Sequence, residues 1–99
     1  MAQTLDGFIG SLGPDPIVII ERDETCRMAR IRVSGRCVME GNTWDFYPGC
    51  HGGWHYELAA RHGGYKGADG MALALSQAIT ESGRRCRVEQ GVYDWRAAA

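Results

Sequence analysis

The stretch IVIIERDETCRMARIRVSGRCVME, residues 17–40, decides the fold. Its opening, Ile17-Val18-Ile19-Ile20, is four aliphatics in a row, three of them β-branched Ile. A short apolar run of that kind predicts a strand buried on both faces. Arg22-Asp23-Glu24-Thr25 is a polar turn. Cys26 to Val33 then reads as a second strand with Arg27, Arg30 and Arg32 on a wet face, its imperfect alternation pointing to a bulge. Ser34-Gly35 is a two-residue hairpin signal. Arg36 to Glu40 returns as a third strand, with a bulge or a second tight turn at Gly41-Asn42.

Outward from this core, Leu5, Phe8, Ile9 and Leu12 fall at i, i+3, i+4 and i+7 and predict a short helix. Thr4 is its N-cap, and Gly13-Pro14 stops it. On the other side, Thr43 to Tyr47 is strand-like in composition, and PGCHGG over 48–53 is a Gly-rich loop. In Trp54 to Ala60, the alternation Trp54, Tyr56, Leu58 favours a strand over the helical composition of ELAAR. A helix follows over GADGMALALSQAITESG, 67–83, with Asp69 as N-cap, Met71, Leu75 and Ile79 on one line, and Gly83 at C′. Residues 87–95 read as a last extended segment. The expectation is one α+β domain over 1–99: a short N-terminal helix, an antiparallel meander of three to five strands, one main helix packed on the sheet, and a short extended C-terminal segment.

Composition narrows the class of function. The chain has 99 residues, 44% hydrophobic and 23% charged, with 11 basic and 12 acidic side chains. That is one domain's worth of sequence. No apolar run approaches the roughly 20 residues of a bilayer-spanning helix. A net charge of -1 argues against a general nucleic-acid binder, which is normally basic. MAQTLDGFIG has neither a basic n-region nor a long apolar h-region, so no signal peptide is read. The four cysteines, Cys26, Cys37, Cys50 and Cys86, are then expected as reduced thiols in the cytoplasm.

Three features could carry chemistry. Cys50, His51 and His55, with His62 nearby, form a Cys/His tract that could bind zinc if its ligands converge. The spacing fits no standard zinc motif, and the plain alternative is a solvated loop. The same residues could pair as a thiol nucleophile and its base. The second feature is the arginine stripe Arg27, Arg30, Arg32 and Arg36. Residues 1–24 sum to -4 and residues 25–36 to +4, so charge is segregated although the total is small. Beside aromatic residues such a stripe could hold single-stranded nucleic acid; pairing with the acidic neighbouring strand is the simpler expectation. The third feature is aromatic density around the PGCHGG loop. Trp44 and Phe46 are assigned to the core, and Tyr47, Trp54 and Tyr56 to a binding edge, because Trp, Tyr and Arg dominate interface hot spots. On that assignment, Trp54→Ala abolishes binding and leaves the fold intact.

In its size, near-neutral charge, meander at 17–60 and helix at 67–83, the chain resembles the small proteins of phages and mobile elements, anti-CRISPR proteins among them. The resemblance implies a non-enzymatic inhibitor of a host defence complex that acts by occupying a larger protein's surface. It carries over no functional position. A homodimer with a small-ligand cleft between its subunits is the further alternative, and no cofactor other than zinc is implied.

Overall fold

The computed structural model describes residues 4–23, 27–42, 54–62 and 64–92. The order of elements is α1 (Leu5–Gly10), β1 (Ile17–Arg22), β2 (Met28–Val33), β3 (Arg36–Asn42), α2 (Trp54–His62), α3 (Gly67–Glu81) and β4 (Arg87–Val92). The class is α+β, as expected, with three helices and a four-stranded sheet among the described residues.

The hairpin between β2 and β3 turns through Ser34 and Gly35, at φ 51° and 81°, with Val33 opposite Arg36. Positive φ at both central residues matches the strand twist, and Gly35 reaches it without a Cβ penalty. β2 alternates cleanly, burying Ala29, Ile31 and Val33. The extra residue lies on β3, not β2. Ile31 faces Met39 and Arg32 faces Cys37, which leaves Val38 as the bulge.

Two expectations about the sheet are corrected. The strand order is β3-β2-β1-β4, and β4 runs parallel to β1, so the sheet is mixed and not an antiparallel meander. The return through α2 and α3 supplies the long crossover that parallel neighbours need. In addition, β1 is buried on one face only. Val18 and Ile20 are enclosed, whereas Ile17 and Ile19 are half-buried.

Residues 54–62 are a helix, against the strand reading. Trp54 and Leu58 are buried at i and i+4, while Tyr56 between them is 52% exposed. The outer two positions of a period-2 pattern over five residues, i and i+4, also share one side of a helix with i+2 opposite, and Glu, Leu, Ala and Arg favour the helix. Glu57 then has a structural task. Its Oε2 accepts the backbone N–H of Leu5 at 3.1 Å, beside Thr4, whose Oγ1 accepts from Gly7 N at 3.0 Å. Two otherwise unpaired donors of α1 are satisfied this way, and a carboxylate sits at the positive end of the helix.

α3 starts after Lys66, so Asp69 lies in the first turn and not at the N-cap. Its carboxylate pairs with Arg22 at the end of β1. The stop at Gly83 is as expected, with φ 93° and its N–H on the carbonyl of Thr80 at 3.0 Å. One cluster of buried side chains joins all three helices to β1, β2 and β3: Leu5, Phe8 and Ile9 from α1, Trp54 and Leu58 from α2, Met71, Leu75 and Ile79 from α3, and Val18, Ile20, Ile31, Val33 and Met39 from the sheet. The buried strand residues share one face, so the helices form a single layer on that face. No described helix is long and apolar enough to cross a membrane.

Candidate functional site

The opposite face of the sheet is covered by no described element. Strand register arranges its side chains in rows. Cys37, Arg32, Ile19 and Glu89 form one, and Glu40, Arg30, Glu21 and Gly91 form the next. Ile17 and Arg87 stand beside the first row. Arg30 Nε donates to Glu21 Oε1 at 2.8 Å, and Arg32 Nη1 lies 3.6 Å from the same oxygen. These side chains are 16%, 13% and 34% exposed for Arg30, Glu21 and Arg32. The two arginines therefore share one carboxylate across the strand boundary. With Arg87, Glu40 and Glu89, the face alternates in sign and carries no net positive field. Among the described residues it shows no continuous basic groove of the kind that tracks a phosphate backbone. It does place Arg32, within ion-pair distance of Glu21, next to half-buried Ile19, a planar donor fork beside apolar surface.

The hydrogen bond from Arg30, reinforced by the charges of Arg30 and Arg32, lowers the Glu21 pKa below its ordinary 4.5 despite opposing desolvation. A carboxylate whose pKa is lowered on folding stabilises fully above its unfolded value, and that contribution is lost as pH falls through the lower folded value. Thermal melts from pH 7 to pH 2 are thus expected to show the stability gap between wild type and Glu21→Gln closing below about pH 4.5. A gap constant over that range would remove the assigned role.

Among the described residues, the remaining predicted contacts do not join this face. Arg36 sits at the corner of α1 and β3, with Nη2 donating to Ser11 Oγ at 2.8 Å and its guanidinium carbon 5.7 Å from the Phe8 ring centroid. Arg27 is in the β1–β2 turn, where Asp23 Oδ1 accepts its backbone N–H at 3.1 Å. Trp54 is 9% exposed and stacked on Phe8, with centroids 4.4 Å apart and rings 5° from parallel. It belongs to the core and offers no binding edge. Tyr56 is exposed on α2, in the helix layer. Tyr47 lies outside the described residues.

Of the zinc candidates, Cys50 and His51 lie outside the described residues. His55 stacks on Trp54, with ring centroids 4.0 Å apart. Among the described residues, no three His, Cys, Asp or Glu side chains come together as a metal site. Cys37 and Cys86 are free thiols. Cys86 lines a cleft of about 300 Å³ with Asp15, Pro16, Arg85 and Arg87, where β1 and β4 begin. Burial pushes its thiol pKa up, against a backbone hydrogen bond at Val18, which disfavours the nucleophilic thiolate.

The structure also exposes large apolar side chains outside the predicted contacts. Val88 on β4 is 43% exposed, Val92 81%, and Leu73 on α3 57%. A periodicity argument could have isolated Leu73, which falls opposite Leu75 on a helical wheel. The valines had no such signal, because their exposure follows from β4 lying at the edge of the sheet. No family model matches the chain, and no curated protein or solved structure matches it. The choice of candidate surface therefore rests on the chain's own geometry.

Proposed function

We propose that the chain is a non-enzymatic protein-binding module that docks the uncovered face of its sheet on a larger protein. The biological setting proposed is that of the phage and mobile-element proteins it resembles in organisation, with a host defence complex as the target. The observation that supports this reading is Arg32, paired with Glu21, beside Ile17 and Ile19 on the face that no described element covers. Held arginines next to apolar surface are the groups that most often dominate protein interfaces. The alternation of Arg and Glu suits a partner surface of mixed charge, and it disfavours nucleic acid.

The test is recovery of the tagged chain from cells carrying the target system, followed by affinity measurement on the isolated complex. Arg32→Ala, which removes the guanidinium without setting a second carboxylate beside Glu21, is expected to weaken binding by at least about tenfold, a loss of about 1.4 kcal/mol, with the melting temperature within a few degrees of wild type. Leu73→Glu, on the helix layer, is expected to bind as wild type. The reverse pattern would move the interface to the helices. Phage plaquing with and without the chain then tests the inhibitor setting.

A further inference from the structure

The two edges of the sheet differ in how they meet solvent. β3 carries the bulge at Val38 and exposes Arg36, Cys37 and Glu40. Bulges and charges are ordinary devices for keeping an edge from pairing with another chain. β4 lacks them. It pairs with β1 over six residues without a register shift, and RVEQGV contains neither proline nor lysine. Its two charges, Arg87 and Glu89, lie on the uncovered face within 3.7 Å of each other. Its other face carries Val88, Gln90 and Val92, in register with Val18, Ile20 and Arg22. Both valines are exposed. Among the described residues, β4 has a neighbour on one side only.

We propose that two copies of the chain pair through β4, antiparallel, about a two-fold axis at Gln90. The strand pattern selects both the partner and the register. Directly opposite residues of an antiparallel pair share a face, so the axis passes through a residue. At Gln90, each Val88 meets Val92 of the second copy, and each Glu89 meets Gly91. At Glu89, two carboxylates would stand opposite each other, which is destabilising. At Val88, the more exposed Val92 finds no apolar counterpart. At Gly91, Val88 is carried beyond the end of β4. Only the axis at Gln90 covers all four valines without opposing like charges. The dimer is an eight-stranded sheet with both helix layers on one side. This surface is distinct from the one proposed above, and either reading can fail without the other.

A strand pair this short buries less than the roughly 1,600 Å² of a standard interface, so an affinity in the micromolar range is expected. Sedimentation velocity from about 1 µM to about 1 mM spans that range. The mass is expected to rise from 10.9 kDa to twice that value as concentration increases. Val92→Lys, at a position already open to solvent, should hold the protein at the monomer mass with its melting temperature unchanged. Gln90→Cys, mildly oxidised, should form a disulfide to its own counterpart, identified by peptide mass mapping. Should Val92→Lys not fold, the wild-type mass and the Gln90→Cys linkage decide. A monomer at the highest concentration, a dimer indifferent to Val92→Lys, or a symmetric linkage at Val88→Cys in place of Gln90→Cys would each overturn the proposal.

Discussion

Trp54→Ala is expected to unfold much of the protein instead of merely weakening a contact. Trp54 opens α2, is 9% exposed, and stacks face to face on Phe8, itself 4% exposed. Truncating a buried Trp costs about 3–5 kcal/mol. Loss of the aromatic pair accounts for about 0.5–1.5 kcal/mol of such effects. Small domains have only about 5–15 kcal/mol in total, so the variant should sit near the edge of stability. Urea titration followed by circular dichroism would show a lower midpoint at an unchanged slope. Phe8→Ala should be similarly costly, and the double variant less costly than the two losses added, since both remove one contact. Tyr56→Ala, two residues along on the exposed side of α2, should stay within about 0.5 kcal/mol of wild type. A Trp54→Ala protein as stable as the Tyr56→Ala protein would refute the core assignment.

Leu75→Ala should be the other large loss. Leu75 is fully buried at the middle of α3, with Met71 and Ile79 one turn away on either side, also fully buried. Nearby positions of the same helix, Ala72, Ala74 and Ala78, are already small. They have no side-chain length with which to fill the space a leucine leaves. Where a site cannot collapse, the cavity adds to the transfer cost, and Leu→Ala reaches the upper part of about 2.7–5 kcal/mol. For a domain of this length, each kcal/mol moves the midpoint by about 4–8 °C, so calorimetry should record a fall of more than about 10 °C. Leu73→Ala, two residues earlier and 57% exposed, should leave the midpoint within a few degrees, about the effect of 0.5 kcal/mol. Equal effects at the two positions would mean that α3 presents a different face to the sheet.

Much of the fold was legible because it rests on local signals. The Ser34-Gly35 turn, the Thr4 cap, the stop at Gly83 and the apolar line along α3 each depend on a few adjacent residues. The parallel placement of β4 could not be read this way, since nothing within Arg87–Val92 states which strand it will join. The α2 error has a related cause. Trp54 and Leu58 satisfy both a two-residue and a helical period over so short a span, and packing against Phe8 resolves the choice, leaving Tyr56 on the outer side. The site was less legible than the fold. Four arginines close in sequence suggested one basic stripe, but Arg30 and Arg32 share Glu21, Arg36 reaches the α1 corner, and Arg27 sits in a turn. Such a separation depends on register and twist, which charge counting does not contain. Tyr47, Cys50 and His51 lie outside the described residues.

The place of β4 beside β1 also sets a timetable for synthesis. Arg87 follows Arg22 by 65 residues. At about 5–20 residues per second, β1 therefore waits roughly 3–13 s for its second neighbour. Throughout that interval one side of Ile17-Val18-Ile19-Ile20 is an open apolar edge, of the kind that recruits strands from other chains. A nascent chain stalled before Arg87 is most exposed to misassembly at this point, and chaperone capture should be strongest there.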